Sequence, residues 1–226
     1  MNEVLRTDYD GHGLEDGVMP PAPWPFVEEW VTEARDAARE RADVPEPDAL
    51  SVATADASGR PRVRTVLLRH LGPDGFGFFT NLSSRKGRDL AENAAVAASL
   101  TWPAMFRAIR VFGRAEQLPR ETVEAYFRSR PWGSRISAWT SAQSQPVEDR
   151  AALEQAYAAY AEKWSDHGSP DDVPVPDFWG GYLIHCDEVE LWGGRRSRLH
   201  DRFRYVRVGD GDLADPTSWE LSRLQP

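Results

Sequence analysis

Residues 59–87 read GRPRVRTVLLRHLGPDGFGFFTNLSSRKG. Two apolar runs, Val63–Leu68 and Phe76–Thr80, flank a Gly/Pro/Asp break at Gly72–Gly75, a pattern that predicts a hairpin of two strands. Arg60, Arg62, Arg64 and Arg69 lie on or beside the first strand, Arg85 and Lys86 follow the second, and Asp74 in the turn is the only acid among them. Ser83 and Ser84 precede Lys86–Asn93, a short helix with a serine N-cap. Basic side chains, hydroxyls and a helix N-terminus at one strand end are the ordinary parts of a phosphate site. The alternative reading of the same stretch is a solvated basic hairpin.

Around this stretch the chain is acidic. It has 226 residues and a net charge of −9, which argues against nucleic-acid binding by bulk electrostatics. Arginine gathers in three islands: the hairpin, Arg128–Arg135 and Arg195–Arg207. An acidic chain with separate basic clusters suits small anions better than a long polyanion; two phosphates account for three islands, and so do scattered salt bridges. The one cysteine, Cys186, excludes an internal disulfide, fits a reducing cytoplasm and reads as a small apolar residue. No apolar run has the length of a membrane span, and the first residues lack a signal-peptide core.

Working outward, residues 1–22 are polar and rich in Gly and Pro, which predicts a flexible arm; residues 23–226 then form a single domain. A helix is expected over 25–43, with Phe26, Trp30, Val31, Ala34 and Ala38 on one face. Strands are expected at Leu50–Ala55, Ala95–Trp102 and Phe106–Gln117, helices at 119–130, Ser134–Ala142 and Glu148–Asp166, and an irregular acidic loop at 167–177. Strands resume at Gly181–Trp192, Leu199–Val208 and Ser218–Leu224. The fold class is mainly β with α: a small antiparallel β-barrel with packed helices. Several sites are unsupported: there is no dinucleotide loop after a strand, no Walker loop, no GxSxG and no zinc-ligand spacing among the dispersed histidines.

The C-terminal third, DFWGGYLIHCDEVELW, RSRLHDRFRY and a closing RLQP, resembles the pyridoxine/pyridoxamine 5′-phosphate oxidase family. RTVLLR (64–69), FFTN (78–81), SSRKG (83–87), YFRSRP (126–131) with Ser134, and SAQS (141–144) agree with it in the same order, so the resemblance covers residues 47–226. It implies an FMN-binding split antiparallel β-barrel, a homodimer with FMN at the interface, and no nucleic-acid or membrane partner. For FMN it implies Arg64, Thr65, Val66, Leu67, Leu68, Arg69, Phe79, Thr80, Arg85, Lys86, Gln143, Ser144, Trp192 and Arg202. For the substrate's phosphate it implies Arg69, Tyr126, Arg130 and Ser134, with Arg198 and His200 as the catalytic pair over the substrate ring. The implied reaction oxidises the vitamer phosphate to pyridoxal 5′-phosphate with O2, releasing H2O2, and needs no metal.

Two departures from the family pattern stand out. Arginine occupies position 69 where lysine is usual, and Ala108 stands where a glutamine amide is usual. Two other readings share the sequence features: a related flavin oxidase of a reduced aromatic, as in phenazine biosynthesis, and a non-catalytic flavin or pyridoxal-phosphate binding protein.

Overall fold

A computed structural model describes residues 8–11 and 13–226. Helix α1, Trp24–Glu40, begins at a proline pair and buries Trp30, Val31 and Ala34 of the expected face together with Val27, while Phe26 and Ala38 are only partly buried. Nine strands follow: β1 (Ala49–Ala55), β2 (Pro61–Leu67), β3 (His70–Gly72), β4 (Gly75–Asn81), β5 (Ala95–Trp102), β6 (Arg107–Gln117), β7 (Trp179–Gly193), β8 (Asp201–Arg207) and β9 (Trp219–Leu224). They make one antiparallel sheet in the order β2-β1-β5-β6-β7-β4-β3, with β8 on β7 and β9 on β8. Helix α2 (Arg85–Glu92) follows β4, and α3 (Arg120–Ser129), α4 (Trp132–Thr140) and α5 (Arg150–Lys163) lie between β6 and β7.

The opening stretch closes this sheet, but not as the hairpin expected. β2 pairs with β1, whereas β4 pairs with the three-residue β3. The change of partner falls between two residues: the Leu68 N–H donates to the Asp48 carbonyl, and the next N–H, Arg69, donates to Gly77. Because β2 and β3 are the two ends of the strand order, this bent segment joins the sheet's edges. The tight Asp56–Gly59 turn gives β2 a nearer antiparallel partner than β4, which is why a local reading picked the wrong pair.

β7 creates the split. β6 pairs along it from Tyr182 to Gly193, while its other edge is shared by β4 over Trp179–Ile184 and β8 over Glu188–Gly193. A bulge at Phe112/Gly113 accommodates the divergence. Gly113 is required there, since a Cβ would lie 1.9 Å from the His185 carbonyl oxygen.

The main core lies between α1 and the inner sheet face; a second cluster of Phe127, Ile136, Ala138 and Val173 holds α3–α5 together. Cys186 is buried in the main core, and burial pushes its thiol up to about 12.

Three further expectations need correction. Residues 8–11 and 13–22 of the arm expected to be flexible are laid on the body: Leu14 and Ala22 are buried, and the Leu14 N–H donates to Asp201. Residues 1–7 and 12 of that arm lie outside the described residues. Phe106 is not in a strand but caps the 3-10 turn Pro103–Met105 with φ 53°. The strand expected from Leu199 begins only at Asp201, so Arg198 and His200 both precede β8; Ser197 and Arg198 have φ 59° and 61°, and this left-handed turn delays the pleat.

Candidate functional site

Where β2 turns into β3, a cleft of about 470 Å³ opens against β4, α2, α3 and the α4–α5 loop. Of the expected residues it gathers Arg64, Thr65, Val66, Leu67, Arg69, Phe79, Thr80, Arg85, Lys86, Tyr126, Arg130, Gln143 and Ser144, and it adds Trp179. Another cavity of about 450 Å³, between α4 and α5, holds none of them.

One end of the cleft is built on α2. Ser84 caps the helix by accepting the Gly87 N–H, and its burial fixes the first turn. Lys86 is buried beneath this turn, its Nζ donating to Thr80 Oγ1 (2.7 Å), Gln143 Oε1 (2.7 Å) and Ser84 Oγ (3.3 Å). Among the described residues no carboxylate pairs with it. Burial, aided by the Arg64 charge, lowers its pKa to about 8. Arg64 donates to the Val52 carbonyl (3.0 Å) and Thr54 Oγ1 (2.9 Å) and lies 3.7 Å from Asp89. Buried Asp89 also holds Arg62 and Thr54, so one acid anchors the basic strand from behind. The Arg85 N–H meets Ser144 Oγ, and Ser144 itself has φ 73°.

The other cluster comes from α3 and β7. Tyr126 stacks on Phe79 at 3.8 Å between centroids. Arg130, at the end of α3, lies 4.4 Å above the Trp179 ring and 5.6 Å from that of Phe127. Its NH1 is buried without a hydrogen-bond partner, and burial lowers its pKa. Arg69 reaches Asp48 at 3.3 Å, and Asp48 also holds Arg35 of α1 at 2.8 Å. The cleft is thus rich in cations and donors and short of acceptors, which is the chemistry of a site for anions.

The remaining expected residues are elsewhere. Leu68 is fully buried in the core, and its N–H is taken by Asp48, so its side chain does not face the cleft. Ser134, on the first turn of α4, does not line it either. Trp192, Arg198, His200 and Arg202 form a second group at the far end of β7 and β8. His200 lies 4.7 Å from Trp192, with Tyr9 edge-on to both rings. The Arg195 N–H donates to His200 Nδ1, which leaves the neutral ring's proton on Nε2; burial and Arg198 lower the pKa of the ring. Arg202 grips Glu190 through two hydrogen bonds (3.0 and 2.7 Å), and Arg110 closes on the same buried carboxylate. Much of the third arginine island is therefore ion-paired within the fold: Arg195 and Arg223 share Asp201, and Arg196 meets Asp10.

Ala108 is buried opposite Trp192, and Arg110 does not take the glutamine's place because Glu190 holds it. Sequence reasoning missed Trp179, Asp48 and Asp89. Trp179 carries the one visible signal, an aromatic directly before Gly180–Gly181.

Comparison with known proteins agrees with this geometry. Residues 36–164 match the family profile described as pyridoxamine 5′-phosphate oxidase. Residues 179–226 match the pyridoxine 5′-phosphate oxidase C-terminal dimerisation region. Pyridoxine/pyridoxamine 5′-phosphate oxidases of Kineococcus radiotolerans and Thermobifida fusca are 45% and 44% identical, each over 98% of this chain and 97% and 96% of theirs. Among solved structures, PhzG of Burkholderia lata in complex with tetrahydrophenazine-1-carboxylic acid superposes with TM-score 0.82 at 29% identity, covering 97% of this chain and all of that one. An FMN-binding, pyridoxamine 5′-phosphate oxidase-related protein of Nostoc punctiforme shares the fold at TM-score 0.67 and 18% identity, over 92% of this chain and all of that one. With the split barrel, the anion-seeking cleft and two profiles that together span most of the sequence, the chain belongs to the pyridoxine/pyridoxamine 5′-phosphate oxidase family, oxidoreductases of the FMN-binding split-barrel fold with FMN as cofactor.

Proposed function

We propose that the protein oxidises pyridoxine 5′-phosphate or pyridoxamine 5′-phosphate to pyridoxal 5′-phosphate, consuming O2 and releasing H2O2. The observation that carries this reading is a pair of cations in one cleft, Lys86 on α2 and Arg130 at the end of α3, neither of which has a carboxylate partner among the described residues. Two anions are wanted, and a flavin phosphate and a substrate phosphate supply them.

The donor set around Lys86 fits FMN. Lys86, Arg64 and Arg85 would hold its phosphate, with Thr80, Gln143 and Ser144 completing the hydrogen bonds and Thr65 to Leu67 bordering the ring. Held there, FMN would supply the hydride-accepting and O2-reducing chemistry that oxidation at the substrate's 4′ carbon requires. Arg130, Tyr126 and Arg69 bind the substrate phosphate and so orient the carbon. His200 keeps its proton at Nε2, a donor suited to the substrate's phenolic oxygen, and Arg198 steadies negative charge there.

We assign the second group to a partner copy, a reading supported by the match of residues 179–226 to a dimerisation region. Thr65 in the cleft connects across the sheet through Ser51, Ser99 and Arg110 to Glu190. At about 4.8 Å per strand, these four steps make a path of on the order of 20 Å along the curved sheet. In this reading the two groups meet around one flavin by coming from different copies of the chain. A two-fold pairing, in which each copy presents the same face to the other, brings one protomer's Trp192, Arg198, His200 and Arg202 to the other's cleft. The outward row Val63, Ala53, Ala97 and Phe112 offers an apolar surface for it, with Val63 70% and Phe112 42% exposed.

The likeness to PhzG favours a second reading, oxidation of a reduced tricyclic aromatic. The ligand in that complex is a carboxylic acid, so it would present a single carboxylate, and no phosphate, to the Arg130 cluster. The test is anaerobic: purified protein with FMN is mixed with each vitamer phosphate and, separately, with a reduced phenazine precursor. Bleaching of the flavin by a vitamer phosphate is the expected result. Bleaching by the precursor alone selects the second reading, and bleaching by neither overturns both.

A further inference from the structure

We propose that Trp179 is a positioning residue for substrate recognition: its indole face holds Arg130 in place without neutralising it. The inference rests on the vitamer-phosphate reading above and concerns a residue outside the expected set.

Most arginines of this acidic chain lean on carboxylates; Arg35, Arg62, Arg69, Arg128 and Arg202 all do. Arg130 does not. Its guanidinium lies over Trp179 at 4.4 Å, with Phe127 at 5.6 Å, and NH1 is buried with no partner. A carboxylate in that position would fix the side chain equally well, but it would compete with a phosphate for the same charge. An aromatic face attracts the cation through its quadrupole and leaves the N–H donors unspent.

The platform itself is rigid. Trp179 opens β7, where it pairs with Asn81 of β4. Its N–H donates to the Pro176 carbonyl (3.1 Å), and its own carbonyl accepts from Arg120 (3.2 Å). Phe127 meets its ring edge-on at 5.8 Å. The indole N–H is buried and unpartnered, so packing rather than a side-chain hydrogen bond sets the ring's plane. Arg120 also ties down the carbonyls of Val175 and Pro176, which anchors the loop entering β7 to the helix that carries Arg130.

The test compares the holoenzyme with Trp179→Phe and Trp179→Leu, measuring kcat and KM for a vitamer phosphate, competitive inhibition by inorganic phosphate, FMN affinity and Tm. The expected order is graded. Leu, with no π face, raises KM and weakens phosphate inhibition roughly three- to thirtyfold; Phe, a weaker face, falls between Leu and the parent. The loss falls on KM, and FMN affinity stays within about twofold. KM and phosphate inhibition unchanged in both variants overturn the inference, as does a parallel fall of kcat, FMN affinity and Tm without a phosphate-specific effect. If Trp179→Leu does not retain FMN, Trp179→Phe decides by the same criteria. A parent that turns over neither vitamer phosphate overturns the functional reading instead. Phosphate binding, followed by calorimetry, then judges Trp179 alone: weaker binding in the variants supports the inference, and equal binding rejects it.

Discussion

Lys86 shows how a single residue stores the site's specificity. Its ammonium is buried among neutral oxygens, and burial brings its pKa down to about 8 from the usual 10.5. The sign of the effect on the apoprotein follows. Below pH 8 the lysine is charged in both folded and unfolded chains, and its burial is a full penalty. Between pH 8 and 10.5 only the unfolded chain keeps the proton, so this group's contribution to stability improves as pH rises. Binding an anion reverses the preference and restores the charge. FMN affinity is therefore expected to fall above about pH 8, by at most about tenfold per pH unit, with proton uptake visible by calorimetry in buffers of different ionisation enthalpy. Lys86→Met should bind FMN more weakly and lose this pH dependence; a parent-like profile in the variant would place the titrating group elsewhere. Glu190 is the complementary case, a buried acid between Arg110 and Arg202. Glu190→Gln leaves two arginines without their acid, and a stability loss of about 3–5 kcal/mol in denaturant unfolding is expected.

At the scale of elements, the joint between β6 and β7 is the critical one. These two strands carry both halves of the split barrel, and their bulge relies on a glycine with no room for a side chain. Gly113→Ala should cost about 1–3 kcal/mol by forcing His185 away, although alanine is ordinarily the better residue in a strand. Thermal unfolding checks this, and an unchanged Tm would mean the bulge is free to shift. Helix α2 makes a similar point with a polar device. Ser84 satisfies Gly87 and Lys86 at once, so Ser84→Ala is expected to lose about 1 kcal/mol of stability and to weaken FMN binding together.

For the whole molecule, the separation of the two groups of expected residues is the main result. The cleft reaches β7 at Trp179, whereas the second cluster gathers around Trp192 at the other end of that strand. Phe112, in the outward apolar row, is 42% exposed. Phe112→Asp would place a charge in the apolar centre of the proposed pairing. Sedimentation should then show a mass near 25.4 kDa where the parent has twice that, with FMN affinity reduced in parallel. A variant that stays dimeric and binds FMN normally would move the interface off this face.

Much of this protein is set by local chemistry and is readable along the chain. The amphipathic spacing of α1, the serine cap and lysine of α2 and the alternation in β6 depend on near neighbours, so most strands and helices were legible along the chain, whereas the cleft residues at 64–69, 78–87, 126–131 and 141–144 were named through the family resemblance of those ordered motifs. What the sequence by itself did not determine depends on partners distant along the chain. The pairing of β2 with β1 rather than β4 turns on two consecutive N–H groups choosing different strands. The burial of Lys86 without an acid, the anchoring of Arg64 by Asp89 and the stacking of Arg130 on Trp179 join segments up to 57 residues apart. Charge on an arginine is visible in a sequence; whether a carboxylate or an aromatic face holds it is decided only when the chain is folded, because that choice is a matter of proximity.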